Sequence, residues 1–390
     1  MRLCYVYFHS YRDMPIHTRE VVEELARQGQ EVAVVTAVSP AFLQRLEWAG
    51  RIAVRQVPIL NLPGCRQVSF MMALVLSLPW WCLRRPPDVL YERFSLTTLG
   101  TLLISRLLGI PLVVEVNGII RDELALSRAS RWRLWLQDWV ERRVFRGCER
   151  IVAVTEGIRQ WVAATYAVPP ARIEAIPNGT NPDRFMPVEQ AAARQALDVE
   201  PHRPIVGYLG SLFPWCGLDT LVEASPRVAA EVPDVLFLIG GGQEDLRRHL
   251  EAHAQRLGME RQFRFTGDVP WDRAASFISA FDVAVAPAQF ANTRSGISPQ
   301  KVYAYLACER PVVGSDIDGL GNVLQEEGAG LSFPAGDAEA LARAVVQLLG
   351  DPARARAMGQ RGRQLVLERY TWEQVVRRTV RILDTVRRVG

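Results

Sequence analysis

The sequence predicts an α/β protein made of two doubly wound domains, each a parallel sheet with helices on both faces. Short β-branched runs alternate with helix-length segments along almost the whole chain. The alternation stops once, at a cluster of turn residues, and then starts again. The length of 390 residues agrees, because it exceeds what one hydrophobic core usually supports.

The first half contains a series of predicted strands separated by segments long enough to be helices. These strands are residues 3–8, 31–36, 52–57, 88–91, 111–116 and 150–154. The turn cluster NGTNP at 178–182 follows them and interrupts the pattern. We therefore predict a first domain over residues 1–180.

The second half repeats the alternation, with predicted helices at 217–230 and 243–257. Its predicted strands are residues 204–209, 234–239, 263–266, 282–286 and 310–314. We predict a second domain over residues 181–370. The last segment, 371–390, has apolar residues close to helical spacing, so we expect an amphipathic helix that packs back on the first domain.

Composition argues against several classes of protein. The net charge of +4 is too small to argue for nucleic-acid binding from charge alone. The six cysteines lie far apart without a C-x-x-C pair, and we identify no zinc-binding spacing of cysteine or histidine, so we expect reduced thiols and no metal. The N-terminus resembles a first strand rather than a signal peptide, which favours a cytoplasmic protein.

Lysine usage is unusual, because Lys301 is the single lysine and the rest of the 46 basic residues are arginines. A compact ammonium and a planar guanidinium are not interchangeable. A chain that otherwise uses arginine is expected to keep a lysine where a point charge is needed, although one lysine can also survive by chance. Lys301 is therefore a candidate anion-binding residue.

The ends of the predicted strands carry the other candidate residues, because doubly wound sheets bind ligands beyond the carboxyl ends of their strands. In the first half these residues include Glu92, Arg93, Glu115 and Asn117. Glu115 lies in an apolar strand, where an unpaired carboxylate would be unfavourable, so a paired or functional role is expected. In the second half, glycine-rich turns follow the strands and would let backbone amides approach a phosphate.

Five motifs, in this order, resemble those of glycosyltransferase family 4, the retaining enzymes of the GT-B fold. They are QGQEV at 28–32, IPNGTN at 176–181 followed by Phe185, VGYLGSL at 206–212 followed by WCG at 215–217, FTGDV at 265–269 and KVYAYLACERPVV at 301–313. The resemblance covers nearly the whole chain. It implies two Rossmann-like domains that face each other across a cleft, with the acceptor on the N-terminal side and the nucleotide-sugar donor bound by the C-terminal domain.

A narrower branch of the family is similar in four further motifs. These are IHTRE at 16–20, YER at 91–93, EVN at 115–117 and SPQK at 298–301, the first with Ile16 in place of valine. The resemblance implies that Asn117, Glu115 and His17 are catalytic and that Glu92 and Arg93 shape the acceptor side. From the residues alone, His17 could instead cap a helix or lie at the surface, and Glu92 and Arg93 could form a structural ion pair.

The same resemblance implies a donor site in the second domain. Its expected residues are Gly210, Ser211, Leu212, Cys216, Gly217, Gly240, Val269, Ser295, Gly296, Ile297, Ser298 and Lys301. The donor would be a UDP-sugar or a GDP-sugar, and neither a cofactor nor a metal is expected.

The donor site departs from the family pattern. Gly296 and Ala304 stand where the family has a pair of glutamates, and Ser211 and Cys216 stand where it has an arginine and a lysine that grip the diphosphate. The family's histidine after the fifth strand is Asn117 here.

Two interpretations follow from these departures. In the first, the site is rebuilt around Lys301, whose ammonium supplies the charge beside hydroxyls and amides of residues 295–298. In the second, the site has decayed and the chain is a non-catalytic nucleotide-sugar-binding homologue. We favour the first because the single lysine lies in the loop where charge is needed.

The function implied is a retaining hexosyltransferase that moves a sugar to a glycan or a lipid-linked glycan in envelope or exopolysaccharide biosynthesis. A nucleotide-dependent oxidoreductase is disfavoured, because no G-x-G-x-x-G follows the first strand.

Two segments raise the question of membrane contact. Residues 68–83 are nearly free of charge, but they fall short of the roughly 20 needed to span a bilayer and contain Pro79, so a buried or interfacial helix is expected. Residues 130–146 interleave tryptophans with arginines, which suits a lipid headgroup interface unless the tryptophans pack inward. A peripheral contact at the inner face of the plasma membrane is therefore one expectation.

Overall fold

The structure is a computed structural model that describes residues 1–8, 14–46, 51–60, 62, 65–121, 124, 130–289, 298–325 and 328–387. The chain divides into two compact units, Met1–Asn178 with Trp372–Gly390, and Gly179–Thr371. Each unit contains one parallel sheet with helices packed on it. The predicted fold class of two Rossmann-like domains is confirmed.

The first unit has a seven-stranded sheet in the order β3-β2-β1-β4-β5-β6-β7. Its strands are β1 (Arg2–Tyr7), β2 (Glu31–Thr36), β3 (Ala53–Gln56), β4 (Val89–Arg93), β5 (Leu112–Val116), β6 (Arg150–Ala153) and β7 (Ile173–Ala175). The six strands expected from the sequence are present with ends shifted by two residues at most. The seventh, β7, is a three-residue edge strand that the sequence analysis did not identify.

The second unit has a six-stranded sheet in the order β10-β9-β8-β11-β12-β13. Its strands are β8 (Ile205–Leu209), β9 (Leu236–Gly240), β10 (Phe263–Gly267), β11 (Val283–Ala286), β12 (Val312–Ser315) and β13 (Gly330–Phe333). The edge strand β13 was also not expected from the sequence. In both sheets, the strand pairings of the described residues are parallel.

Helices connect the strands and cover the sheets. In the first unit they are α1 (Ile16–Arg27), α2 (Pro40–Leu43), α3 (Arg66–Arg84), α4 (Thr98–Leu108), α5 (Arg131–Gly147) and α6 (Glu156–Tyr166). The second unit follows with α7 (Gln190–Gln195), α8 (Leu218–Glu231), α9 (Glu244–Arg256), α10 (Ala274–Ser279), α11 (Gln300–Ala307), α12 (Gly321–Gln325), α13 (Ala338–Leu349) and α14 (Pro352–Arg369), and α15 (Trp372–Val386) returns to the first unit. Within the described ranges, none of the helices is long and apolar enough to cross a bilayer.

The two faces of the first sheet are covered by different helices. One face packs against α1 and α15, and its core contains Tyr5, Tyr91 and Val113. The opposite face packs against α3, α4, α5 and α6, and its core contains Leu90 and Val114. Successive side chains of a strand point to opposite faces, so adjacent residues of β4 and β5 enter different environments.

The C-terminal helix α15 is part of the first unit. Its buried side chains, Trp372, Val375, Val376, Ile382 and Leu383, join the same core as Tyr5 and Tyr91. Its polar contacts include a hydrogen bond from Nε2 of Gln28 to the Glu373 carbonyl at 2.9 Å and one from Arg378 to the Ala175 carbonyl at 2.8 Å. The end of the chain therefore closes the face of the sheet that carries Glu115.

Replacement of Leu383 by Ala tests this packing. The side chain is fully buried, so we expect the variant to lower the free energy of unfolding of the first unit by about 2–5 kcal/mol, the usual range for a large-to-small core substitution. Urea unfolding followed by tryptophan fluorescence measures the change. Arg381→Ala, an exposed position on the same helix, is the matched control. Equal unfolding curves for the two variants would show that α15 does not pack as described.

Candidate active site

The carboxylate of Glu115 is the centre of the candidate site in the first unit. It is buried at the carboxyl end of β5 and accepts hydrogen bonds from three side chains. Nε2 of His17 lies 3.0 Å from Oε1, Asn117 donates to the same oxygen, and the Tyr91 hydroxyl donates to Oε2. These contacts join α1, β4, β5 and the turn that follows β5.

The alternation of the strands explains why these groups meet. Tyr91, Arg93, Glu115 and Asn117 are odd-numbered positions on neighbouring strands or just beyond them, and Arg93 pairs with Glu115 in the register of β4 and β5. Their side chains therefore lie on one face of the sheet. Of the predicted catalytic and acceptor-side residues, the structure brings together His17, Glu115 and Asn117, with Arg93 on the same face.

His17 is neither a helix cap nor a surface residue. It is buried in the first turn of α1, and its ring packs edge-on against Trp372 of α15, with the ring centroids 5.3 Å apart. Nδ1 has no hydrogen-bond partner among the described residues. The contact between His17 and Glu115 was not visible in the sequence, because the two residues belong to elements far apart along the chain.

Glu92 lies apart from this cluster. It enters the opposite face of the sheet, where it is fully buried and accepts a hydrogen bond from the Thr98 hydroxyl at 3.0 Å. The sequence-based pairing of Glu92 with Arg93 is therefore corrected: adjacent strand residues point to opposite faces, and these two form neither an ion pair nor a shared surface in the described structure.

The two buried glutamates differ in ionisation. Burial raises the pKa of Glu115, but the positive charge of His17 and the hydrogen bonds from His17, Tyr91 and Asn117 outweigh it and lower the pKa to about 2. Burial also raises the pKa of Glu92, and threonine hydroxyls offset it only in part, so the pKa reaches about 8. Glu115 is thus a carboxylate at neutral pH, whereas Glu92 is mostly protonated.

Lys301 is the centre of the candidate donor site in the second unit. It lies in the first turn of α11, and its Nζ donates to the Tyr208 hydroxyl of β8 at 2.6 Å and lies 4.6 Å from the centroid of the Tyr208 ring. Burial lowers the pKa of Lys301, while the neighbouring Cys216 acts in the opposite direction. The side chain is half-buried rather than extended into solvent.

The ammonium of Lys301 lies beside the position where the family pattern has its lysine. Nζ is 3.6 Å from Sγ of Cys216. The carbonyl of Ser211, at the other replaced basic position, accepts hydrogen bonds from the Tyr208 hydroxyl at 2.8 Å and from the Cys216 thiol at 3.2 Å. The single lysine thus brings a positive charge to the turn where the resemblance leads us to expect basic residues.

The glycines of this region permit close backbone packing. A Cβ at Gly210 would lie 3.3 Å from Cε and Nζ of Lys301, and one at Gly217 would lie 1.8 Å from the Pro287 carbonyl. Gly217 also has a φ of +68°, and it precedes α8 without a side-chain cap. The N-terminus of α8 therefore presents backbone N–H groups and the positive end of a helix dipole near Cys216.

The other predicted donor residues lie at several separate places in the second unit. Leu212 and Gly240 are buried, and the Gly210 N–H donates to the Gly240 carbonyl at 3.1 Å. Val269 lines a cavity of about 490 Å³ between β10 and α10. Ser298 precedes α11, and Ser295, Gly296 and Ile297 lie outside the described residues. Ala304, at the position of a family glutamate, is buried in the core.

One group of side chains in the described residues could hold a metal ion. Oδ1 of Asp219, in the first turn of α8, lies 2.8 Å from Nε2 of His249 and 3.0 Å from Nδ1 of His253. The two histidines are four residues apart on α9, a spacing that the sequence analysis overlooked. In the structure they form hydrogen bonds with the aspartate instead.

The opposite ionisation of the two glutamates gives opposite pH dependences of stability. Glu115 is deprotonated in the folded protein down to pH about 2, so its stabilisation is present above its ordinary pKa of 4.5 and is lost as the pH falls. The stability difference between wild type and Glu115→Gln should therefore narrow from pH 6 to pH 3, by at most about 1.4 kcal/mol per pH unit.

Glu92 keeps its proton in the folded protein up to pH about 8, so the penalty of burying it grows as the pH rises above 4.5. Glu92→Gln should therefore gain stability relative to wild type between pH 5 and pH 8. Urea unfolding of the two variants across pH 3–8 measures both trends, and each variant is the control for the other. If the stabilities of the two variants relative to wild type changed with pH in the same way, the assignment of a charged Glu115 and a protonated Glu92 would be wrong.

Comparisons with known proteins agree with the fold and identify the family. Residues 14–184 match the family described as Glycosyltransferase Family 4, and residues 203–351 match Glycosyl transferases group 1. The chain is 29% identical over 315 residues to alpha-maltose-1-phosphate synthase of Mycolicibacterium smegmatis, which covers 76% of this chain and 79% of that protein. It is 28% identical over 378 residues to phosphatidyl-myo-inositol mannosyltransferase of Mycobacterium leprae, over 96% of this chain and 93% of that one.

A solved structure shares the fold along the whole chain. HepE of Anabaena, in complex with UDP-glucose, superposes with a TM-score of 0.77 at 18% identity, and the match covers 99% of this chain and 100% of that one. This likeness confirms the fold, and the two family matches, which cover most of both units, confirm the family expected from the motifs. The chain belongs to glycosyltransferase family 4 and is a glycosyltransferase of the GT-B type.

Proposed function

We propose that this glycosyltransferase moves a sugar, with retention of configuration, from a nucleoside-diphosphate sugar to a glycan or a lipid-linked glycan in envelope or exopolysaccharide biosynthesis. The observation that carries the proposal is the ammonium of Lys301, which lies 3.6 Å from Cys216 in the turn where the family pattern requires basic residues. The UDP-glucose bound by HepE supports a nucleotide-sugar donor.

The donor diphosphate is bound by the second unit. The lysine ammonium has three N–H donors, of which one reaches the Tyr208 hydroxyl and one the Cys216 sulfur, so one remains for a phosphate oxygen. Backbone amides around Gly210 and the N-terminus of α8 add further donors and a favourable dipole. The nucleoside is uridine or guanosine, and the backbone at Val269 is the proposed contact of its base.

The chemistry that fits these groups is dissociative. As the bond between the anomeric carbon and the diphosphate breaks, the sugar becomes cationic and negative charge grows on the leaving phosphate. Lys301 stabilises that charge because a preorganised cation acts most strongly where charge develops. The leaving phosphate takes the proton of the acceptor hydroxyl, so the proposal requires neither a carboxylate nucleophile nor a metal or cofactor.

Asn117 is the proposed contact of the transferring sugar. Its amide nitrogen donates to Glu115, which fixes the side chain and leaves its carbonyl oxygen to accept a hydrogen bond from a sugar hydroxyl. Glu115 and His17 are buried, so we propose that they position Asn117 rather than contact the substrate. Arg93 remains the proposed acceptor-side residue, while Glu92 supports the end of β4 from the opposite face.

We further propose that the protein works in the cytoplasm, at the inner face of the plasma membrane. The support is the composition of α3 and α5, whose exposed tryptophans and arginines suit contact with lipid headgroups.

Replacement of Lys301 by Met tests the donor site. Methionine keeps an unbranched, apolar side chain but removes the charge, and loss of a charged hydrogen bond of about 1.5–3 kcal/mol predicts a fall in kcat/KM for the donor of roughly 10- to 100-fold. A thermal-shift screen of UDP- and GDP-sugars selects the donor, and its consumption with and without acceptor gives the rates. Arg256→Ala, exposed on α9, is the control.

Unchanged turnover in Lys301→Met would remove the basis of the proposal. A wild-type protein that binds the donor but neither transfers nor hydrolyses its sugar would instead be the non-catalytic homologue.

Replacement of Asn117 by Ala tests the contact with the sugar. Because the proposed contact strengthens only as the sugar becomes cationic, we expect kcat to fall by roughly tenfold or more while the dissociation constant of the nucleoside diphosphate stays the same. Single-turnover rates and calorimetric titration with UDP or GDP separate the two quantities. A weaker affinity for the nucleoside diphosphate with unchanged kcat would contradict this role.

A further inference from the structure

Helix α3 is apolar on two sides. Its inward stripe, Phe70, Leu74, Leu78 and Cys82, is buried in the core of the first unit. Its outward stripe, Met72, Leu76, Trp80 and Leu83, is exposed, and Leu76 keeps 79% of its accessible surface. A helix that is hydrophobic all round is normally buried on all sides. The outward stripe therefore indicates a second apolar environment.

The outward stripe continues onto the neighbouring helices. Leu103 and Leu107 of α4 and Trp132 and Trp135 of α5 are exposed as well, whereas Trp139 packs toward the core. The surface formed by these residues and the outward stripe of α3 is called the α3–α4–α5 face below. Exposed apolar side chains grouped on adjacent helices, unlike scattered single residues, indicate a binding surface.

A groove runs between the three helices of this face. It has a volume of about 450 Å³, and its apolar lining includes Met71, Met72, Val75, Leu76, Leu99 and Leu103. Two charged side chains, Arg106 of α4 and Arg143 of α5, also line it, and both are cationic. An apolar channel with positive charges beside it has the chemistry needed for an acyl chain that carries an anionic headgroup.

In the part of the chain that the structure describes, most charged side chains of these three helices are positive. Helices α3 and α4 contain arginines but neither aspartate nor glutamate. On α5, Asp138 is paired with Arg121 and Arg142, and Glu141 is buried and bonded to Gln137. Arginine also stacks on tryptophan here: the Arg84 guanidinium lies 4.2 Å from the centroid of the Trp80 ring.

We propose that the α3–α4–α5 face binds an anionic lipid bilayer, with its exposed apolar side chains inserted at the headgroup boundary and one acyl chain in the groove. Arg106 and Arg143 contact the phosphate of that lipid. Such binding is interfacial. It agrees with the finding that none of the described helices is long and apolar enough to cross a bilayer. This binding specifies, and rests on, the membrane contact proposed above, but it requires neither donor nor acceptor sugar, so it stands or fails independently of sugar transfer.

Charge complementarity favours this occupant over a protein partner. A partner protein would have to match both an apolar groove and an arginine rim, whereas anionic lipids supply acyl chains and phosphates together. A second copy of this chain would bring the same positive charges against each other, which is unfavourable.

A flotation assay tests the proposal. It compares vesicles of phosphatidylglycerol and phosphatidylcholine, which are anionic, with vesicles of phosphatidylcholine alone. We expect the full-length protein to float with the anionic vesicles. Leu76→Glu should lower its partition coefficient by roughly tenfold or more, because it places a charge at the most exposed apolar position. Leu367→Glu, an exposed leucine of α14 in the second unit, is the matched control and should float like wild type. Equal thermal unfolding of the variants shows that folding is intact.

Two further measurements distinguish insertion from adsorption. Brominated acyl chains should quench the tryptophan fluorescence of wild type and quench Leu76→Glu much less. The double variant Arg106→Gln, Arg143→Gln should weaken binding to anionic vesicles at low salt, with Arg256→Gln as its control.

Three results would overturn the proposal. The first is no flotation of wild type with anionic vesicles at low salt. The second is binding that high salt abolishes and that Leu76→Glu leaves unchanged, since this indicates charge alone. The third is a wild-type dimer that Leu76→Glu converts to a monomer, since a second copy would then cover the face.

Discussion

Strand direction is the constraint on which both candidate sites depend. Because neighbouring strands in each sheet run parallel, their carboxyl ends lie at one edge, and the residues that follow them are brought together whatever their separation in the chain. In the first unit this edge gathers Tyr91, Glu115 and Asn117. In the second it places Gly210 close to Lys301, which reaches back from α11 to the Tyr208 hydroxyl. The residues at these strand ends can therefore differ while the parallel sheet stays the same.

The environment of each carboxyl group, rather than burial alone, decides its charge. Glu115 and Glu92 are both buried on adjacent strands, yet only Glu115 has a histidine and two further donors around it. The ionised Glu115 holds the amide of Asn117 and fixes its free carbonyl oxygen, whereas the protonated Glu92 serves the packing of α4 on the sheet. The same chemical group thus positions the side chain of Asn117 on one face and supports the fold on the other.

Much of the fold could be predicted from the sequence, because buried parallel strands appear as β-branched runs between helix-length segments. The edge strands β7 and β13 could not, since they are short and carry polar or glycine residues such as Glu174 and Gly330. At the candidate site, the alternation of side chains along β4 would have been enough to predict that Glu92 and Arg93 point to opposite faces of the sheet. The contact between His17 and Glu115, and that between Lys301 and Cys216, depend on tertiary packing and leave no local pattern in the sequence.

The central claim is that the ammonium of Lys301 holds the diphosphate of the donor. A crystal structure with bound UDP-sugar or GDP-sugar, as selected by binding, tests it most directly. We expect a phosphate oxygen at about 2.7–2.9 Å from Nζ of Lys301, the length of a charge-assisted hydrogen bond. A diphosphate bound elsewhere, with Nζ still on the Tyr208 hydroxyl and no phosphate within hydrogen-bond distance, would contradict the claim.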